Sequence, residues 1–211
     1  MNKPDHALER YNFSERANHW MVAILFVLAA LSGLALFHPS LFWLGNLFGG
    51  GPWTRILHPF MGVLMFLFFL VLALRFWKHN GINRTDRQWL KQMSDVLANR
   101  DDKLPPVGRY NAGQKLLFWV MIVCMLTLLV TGILFWRPWF ADSFPIGLVR
   151  FAALLHAFSA WVLIAGIMVH VYAAFWVKGT MGAMLSGKVS RAWARHHHNK
   201  WYREVTGDKR S

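Results

Sequence analysis

The chain has 211 residues, of which 55% are hydrophobic, and a formal net charge of +13. Four apolar runs are each long enough to cross a hydrocarbon core of about 30 Å, which excludes an ordinary soluble domain. These runs cover residues 20–37, 56–74, 116–136 and 148–176, and they contain none of the ten acidic residues. The composition therefore predicts an all-α integral membrane protein built as a four-transmembrane-helix bundle.

The basic residues are distributed unevenly about these spans. Twenty of the 23 lysines and arginines lie before the first span, between the second and third spans, or after the fourth. The three exceptions are Arg55, Arg137 and Arg150. Because cytoplasmic loops carry the excess of Lys and Arg, both termini are predicted to be cytoplasmic. A cationic surface of this kind suits anionic lipid headgroups, so nucleic acid is not expected as a partner.

The segments between the spans are polar or interfacial. The outer loop 38–55 is rich in Gly and Trp, and the cytoplasmic loop 75–115 contains apolar residues at helical spacing. That spacing predicts a short amphipathic helix on the membrane surface. The tail 178–211 is expected to begin as a second interfacial helix and to end in disorder, with His196–His198 solvated. One domain is expected over residues 1–211. The apolar residues that predict the amphipathic helix of the loop 75–115 are Trp89, Leu90, Met93, Val96 and Leu97.

Four of the ten histidines lie at membrane depth, where ionisable side chains are functional candidates. They are His19, His58, His156 and His170. An α-helix turns about 100° and rises about 1.5 Å per residue. His156 and His170 are fourteen residues apart in the fourth span, so they lie on nearly the same helix face, roughly 21 Å from each other. One helix can therefore present one ligand near each side of the bilayer.

The alternating direction of the spans pairs these histidines by depth. His58 and His156 fall near the outer ends of their spans, whereas His19 and His170 fall near the inner ends. Gly33, fourteen residues beyond His19 on the same face, is predicted to lie at the depth of the outer pair. Positions one turn from each histidine are small, which leaves room for a planar cofactor. These positions are Ala23, Gly62, Ala152, Ala160, Gly166 and Ala174.

Two separate histidine pairs favour two haems over a structural zinc site, because zinc needs four ligands together, whereas haem iron accepts two axial imidazoles. The single cysteine, Cys124, offers no motif for covalent attachment, so the haems are expected to be of b type. His38 and His79, just beyond span ends, are the second-choice ligands of the outer and inner site. A haem-free transporter with a histidine proton relay is an alternative, although no intramembrane acid supports it.

Longer motifs surround these histidines, and they carry a resemblance that runs from about Tyr11 to about Val205. The chain resembles the γ subunit of membrane-bound respiratory formate dehydrogenase, a dihaem cytochrome b. One departure is His198-Asn199, where that family often has His-Pro. The motifs are Glu15-Arg-Ala-Asn-His19-Trp20, Arg55-Ile-Leu-His58-Pro59-Phe60, Gly108-Arg-Tyr-Asn111-Ala-Gly113-Gln114-Lys115, Leu154-Leu-His156, His170-Val-Tyr172, Phe175-Trp-Val-Lys178-Gly179 and Trp201-Tyr-Arg-Glu-Val205.

The resemblance implies that the four intramembrane histidines are haem ligands with the pairing given above. It also implies a bacterial inner-membrane complex, in which a molybdenum or tungsten α subunit oxidises formate and an iron–sulfur β subunit passes electrons to this chain. The chain would then deliver electrons to menaquinone or ubiquinone on the cytoplasmic side. A trimer of heterotrimers is suggested. The cytochrome b anchor of a hydrogenase or a thiosulfate reductase is the nearest alternative.

The quinone site is predicted at the start of the third span. Asn111, Gly113 and Gln114 enter the membrane at the depth of His170 and match the quinone-pocket motif of the resembled family. Asn111 could equally cap the helix, a role that is compatible with quinone binding. The three outer arginines could pair with haem propionates or anchor the chain at the interface, and the residues favour neither.

Overall fold

Four long helices dominate the computed structural model, which describes residues 7–98, 100, 103–137 and 139–208. They are α1 (Phe13–Phe37), α2 (Gly51–Phe76), α5 (Ala112–Leu134) and α6 (Ile146–Trp176). Two short strands, a 3₁₀ helix in the outer loop and five short helices accompany them in the described part of the chain. These are β1 (Leu8–Glu9), the 3₁₀ helix Pro39–Phe48, α3 (Arg84–Lys91), α4 (Met93–Leu97), α7 (Thr180–Leu185), β2 (Lys188–Val189), α8 (Arg191–His197) and α9 (Asn199–Thr206).

The four predicted spans are confirmed as helices that are long and apolar enough to cross a membrane. Three of them begin several residues earlier than the apolar runs, because each helix includes a polar or Gly-containing first turn that hydropathy does not register. The third ends at Leu134, two residues before the predicted end. The predicted amphipathic segment forms α3 and α4, which are separated at Gln92.

Asparagine capping boxes mark the starts of α1 and α3. Asn12 accepts from the backbone N–H of Glu15 at 2.9 Å, and the Glu15 carboxylate accepts from the backbone N–H of Asn12 at 2.9 Å. Asn83 and Asp86 form the same reciprocal pair at the start of α3. Such boxes satisfy two backbone donors that would otherwise have no partner in the first turn.

The chain divides into two compact units. The bundle unit contains Ala17–Leu74 and Val120–Val169, and it includes most of each long helix. The loop unit contains the described residues up to Arg16, then Arg75–Trp119, and the described residues from His170 onward. The single domain expected over residues 1–211 stays a prediction.

The loop unit has a closed core of its own. Strands β1 and β2 pair antiparallel, with Leu8 opposite Val189. Arg10 is buried, its guanidinium lies 4.3 Å from the centre of the Trp201 ring, and it donates to the carbonyl of Arg109. Burial lowers the pKa of Arg10 from its ordinary value. The apolar core around it consists of Ala183, Val189, Ala194, Trp201 and Tyr202.

Within the described residues, the disorder expected at the end of the tail is wrong, and so is the solvation expected for His198, whereas His196 is exposed as predicted. Helices α8 and α9 continue to Thr206, and His198 between them is buried. The His198 Nδ1 lies 2.8 Å from the carbonyl oxygen of Gly108, and Asn199 accepts from the backbone N–H of Val107 at 3.0 Å. The asparagine that departs from the His-Pro pattern therefore joins the tail to the loop 75–115.

Candidate haem site

His58 on α2 and His156 on α6 come together inside the bundle unit. Their ring centres are 6.3 Å apart and the ring planes are inclined at 70°. Metal–imidazole bonds are about 2.0–2.1 Å long, so two imidazoles on opposite sides of one metal ion have ring centres roughly 6 Å apart. The structure thus brings the two residues of the predicted outer pair to a spacing that suits axial ligation. Their role as ligands stays a prediction.

A cavity of about 560 Å³ adjoins these two rings and is lined by all four long helices. Pockets of roughly 300–1,000 Å³ with mostly apolar walls are typical of cofactor sites. Several of the lining residues are glycine or alanine, whose small side chains leave part of this space open. They are Ala29, Ala30, Gly33, Gly62, Gly132, Ala153, Ala157 and Ala160.

Two glycines lie directly against the histidine rings. A Cβ atom at Gly33 would be 3.1 Å from the Cε1 of His58, and one at Gly132 would be 3.4 Å from the Cε1 of His156. A Cβ at Gly33 would therefore crowd the His58 ring, whereas one at Gly132 would reach ordinary contact with His156, so that only a residue larger than alanine would crowd that ring. The 14-residue spacing indicated Gly33. Gly132 was missed, because α5 has no histidine from which a spacing could be counted.

Two hydroxyls lie at the Nδ1 atoms of the same rings, and neither was predicted from the sequence. The Ser32 Oγ lies 2.8 Å from the Nδ1 of His58, and the Thr131 Oγ1 lies 3.0 Å from the Nδ1 of His156. Each hydroxyl directly precedes one of the two ring-contacting glycines. The repeated hydroxyl-glycine dipeptides, Ser32-Gly33 and Thr131-Gly132, were the pattern in the sequence that could have indicated these contacts.

The cavity is also lined by Phe135 and by two arginines. Phe135 packs edge-on against His156, with ring centres 5.1 Å apart. Arg55 and Arg137 line the cavity, whereas Arg150 is not among its lining residues in the described part of the chain.

The residues of the predicted inner pair fall in different units, His19 in the bundle unit and His170 in the loop unit. Their pairing stays a prediction. Helix α6 is continuous from Ile146 to Trp176, so the helical spacing assumed for its two histidines is confirmed. Next to His19, the Asn18 side chain donates to the carbonyl of Phe68 at 3.0 Å and joins α1 to α2.

The second-choice ligands have local roles in the structure. His38 is the N-cap residue of the 3₁₀ helix, where its Nδ1 lies 2.6 Å from the Ser40 hydroxyl. His79 packs edge-on near Tyr110, with ring centres 6.5 Å apart. Among the residues that the structure describes, no group of three or more His, Cys, Asp or Glu side chains could hold a metal ion.

The predicted quinone residues open α5. Asn111 accepts from the backbone N–H of Gln114 at 2.9 Å, and Gln114 accepts from that of Asn111 at 3.0 Å. The capping role of Asn111 is therefore confirmed. Gly113 faces the Trp89 ring, which a Cβ atom at this position would approach to 3.4 Å. Quinone binding by these residues stays a prediction.

The comparisons with known proteins agree with this geometry. A family model described as prokaryotic cytochrome b561 matches residues 10–187, so the chain belongs to this family of membrane cytochromes b. Family membership implies haem b, and with the four apolar helices it indicates a multi-pass protein of the inner membrane.

Individual relatives make the likeness more specific. The chain is 50% identical to the cytochrome b556(fdo) subunit of formate dehydrogenase from Escherichia coli K12, over 93% of this chain and 92% of the relative. It is 46% identical to the nitrate-inducible cytochrome b556(Fdn) subunit of the same strain, over 93% and 90%. It is 43% identical to the cytochrome b556 subunit of formate dehydrogenase from Haemophilus influenzae, over 95% and 84%.

Proposed function

We propose that this chain is the membrane cytochrome b subunit of a formate dehydrogenase and carries electrons from an iron–sulfur subunit to quinone. When bound, two b haems would supply the one-electron redox chemistry, while the protein supplies position and electrostatics. Formate oxidation would take place on a separate molybdenum or tungsten subunit. The printed names of the relatives and their coverage of nearly the whole chain support this assignment.

The outer histidine pair is the single observation that carries the proposal. His58 and His156 present rings 6.3 Å apart beside a cavity whose small lining residues leave space for a planar group. These two residues would hold one haem. Arg55 and Arg137, which line the same cavity, would provide cations for its carboxylates. A packed helix bundle without a cofactor would instead fill this interior with side chains.

His19 and His170 would hold the second haem nearer the cytoplasm. The support comes from the sequence: the positive-inside charge bias gives cytoplasmic termini, and the spacing along α6 separates its two histidines by roughly 21 Å. The histidines of one helix would thus serve sites at two depths, and electrons would cross much of the membrane within one chain.

Quinone would be reduced at the cytoplasmic side, next to Asn111, Gly113 and Gln114. The capping box uses the side-chain oxygen atoms of Asn111 and Gln114. The side-chain N–H₂ group of each residue therefore remains as a donor. These donors could bond to a quinone oxygen without disturbing the helix start.

A variant can separate the cap from the quinone role. Asn111→Ser keeps a good N-cap residue but removes the amide donor. We expect normal haem content with slower quinone reduction, measured by stopped-flow absorbance of the formate-reduced complex. The matched variant Asn12→Ser, at the capping box of α1, should leave quinone kinetics unchanged. Equal kinetics in both variants would exclude Asn111 from the quinone site.

A reduced-minus-oxidised spectrum of the purified complex, with haem measured per chain, tests the proposal as a whole. Dithionite should reveal two b-type haems per chain, and formate should reduce both of them. Two haems that formate does not reduce would point to a different donor, such as a hydrogenase. One haem would refute one of the two pairings, and the absence of haem would refute electron transfer altogether.

A further inference from the structure

We infer that Ser32 and Thr131 fix the Nδ1–H tautomer of His58 and His156, so that each imidazole presents Nε2 to the outer haem iron, and that the two hydrogen bonds set the potential of this haem. The inference rests on the proposed function, because it needs these histidines to be ligands. The two hydroxyl residues do not touch the iron in this scheme and act as positioning residues.

The direction of each hydrogen bond follows from the other partners of the hydroxyl. Ser32 Oγ donates to the Leu28 carbonyl at 2.8 Å, and Thr131 Oγ1 donates to the Thr127 carbonyl at 2.6 Å. Carbonyl oxygens only accept, and a hydroxyl has a single hydrogen. A hydroxyl that uses its hydrogen on the carbonyl turns a lone pair toward the histidine, which assigns the donor role to the ring nitrogen. This leaves Nε2 as the free acceptor on both rings.

Burial makes these contacts difficult to replace. Ser32 is 0% exposed and Thr131 is 4% exposed, so both hydroxyls are shielded from water. The residue after each of them is a glycine, and a Cβ atom at Gly33 or Gly132 would lie 3.1 or 3.4 Å from the Cε1 of the same ring. Each ring therefore has one hydroxyl at Nδ1 and one glycine beside Cε1, on α1 for His58 and on α5 for His156.

The chemical consequence is a more basic ligand. When a metal-bound imidazole donates its second N–H to an acceptor, the ring orientation is fixed and ligand basicity increases. A more basic axial ligand stabilises ferric iron over ferrous iron, which makes the potential more negative. Removing one acceptor should therefore move the potential of the outer haem to a more positive value and leave the inner haem unchanged.

Thr131 allows a nearly isosteric test in the intact complex. Thr131→Val removes the hydroxyl while keeping the shape, and Thr131→Ser keeps the hydroxyl. Thr127→Val is the matched control, because the Thr127 hydroxyl donates to the Val123 carbonyl one turn away on the same helix. Ser32→Ala tests the opposite ring. The readouts are haem per chain, the redox titration of each haem, and the electron paramagnetic resonance g values, which report ligand orientation.

We expect Thr131→Val and Ser32→Ala to keep two haems, to shift the outer potential positively and to alter its g values. Thr131→Ser and Thr127→Val should match the unmodified protein. An unchanged outer potential in both Thr131→Val and Ser32→Ala would overturn the inference, provided that His156→Ala removes one haem. If His156→Ala keeps both haems, the ligand assignment itself fails, which is a different result.

Discussion

In the bundle unit, two histidines face an open cavity of about 560 Å³, whereas in the loop unit the buried Arg10 is enclosed by aromatic rings of the chain itself. Glycine and alanine residues leave the first interior open. Aromatic side chains of the chain fill the second through cation–π contacts, and the loop unit also contains two paired strands and the buried ion pair of Lys115 and Asp86. Substitutions in the bundle unit should therefore act mainly on cofactor content, and those in the loop unit mainly on stability.

The largest effect is expected from removing an outer ligand. His156→Ala should lose one haem per chain and abolish electron transfer from formate to quinone, because haem iron keeps only one axial imidazole at that site. Haem extraction and formate-dependent quinone reduction measure both consequences. His38→Ala in the same unit is the matched control and should keep two haems, since His38 bonds locally to Ser40. Loss of haem in His38→Ala would reverse the assignment.

A crowding substitution tests whether the open interior is required. Gly33→Val places side-chain atoms against His58, whose Cε1 lies 3.1 Å from the ideal Cβ position. We expect loss of most of the outer haem with the helices intact, judged by haem per chain and circular dichroism. Gly147→Ala, where an added Cβ meets nothing within 4 Å, should bind haem normally. Full haem content in Gly33→Val would show that the cavity next to His58 is not the cofactor site.

The buried ion pair of the loop unit should show the opposite pattern. The Lys115 Nζ lies 2.8 Å from Asp86 Oδ2, and both side chains are 9% exposed. Lys115→Met leaves a buried carboxylate without its cation, which typically costs about 3–5 kcal/mol of stability. Thermal unfolding in detergent should therefore shift downward, while the haem spectrum stays unchanged. Asp95→Asn, at the more exposed pair with Arg100, should cost roughly 0–1 kcal/mol.

The smallest effect at neutral pH is expected at His198. Burial, and then the charge of Arg10, lower the pKa of His198 to about 3. The unfolded chain takes up this proton near pH 6.5, so stability is fully present above that pH and falls as pH drops toward 3. His198→Gln should weaken the pH dependence of the unfolding midpoint between these two values, whereas substitution of the exposed His196 by Gln should leave it unchanged. Parallel pH curves for His198→Gln and the unmodified protein would refute this.

Sequence patterns predicted the helices of the bundle unit well, for physical reasons. Uninterrupted apolar runs must be helical in a membrane, because no water is present to bond the backbone. The fixed rise and rotation of a helix then placed His156, His170 and Gly33 on definite faces. The tail was predicted poorly, because its partners are distant in the sequence and local composition indicated only polarity. His198 and the Gly108 carbonyl that it contacts are 90 residues apart.

The sequence by itself determined the class of protein, the four spans and the candidate ligands, since hydropathy and helical periodicity are local properties. Tertiary structure alone decided which groups meet the rings of His58 and His156. Ser32 and Thr131 lie 26 and 25 residues away from these histidines and on other helices. The distance between such groups depends on how helices pack and rotate against one another, which no single segment specifies.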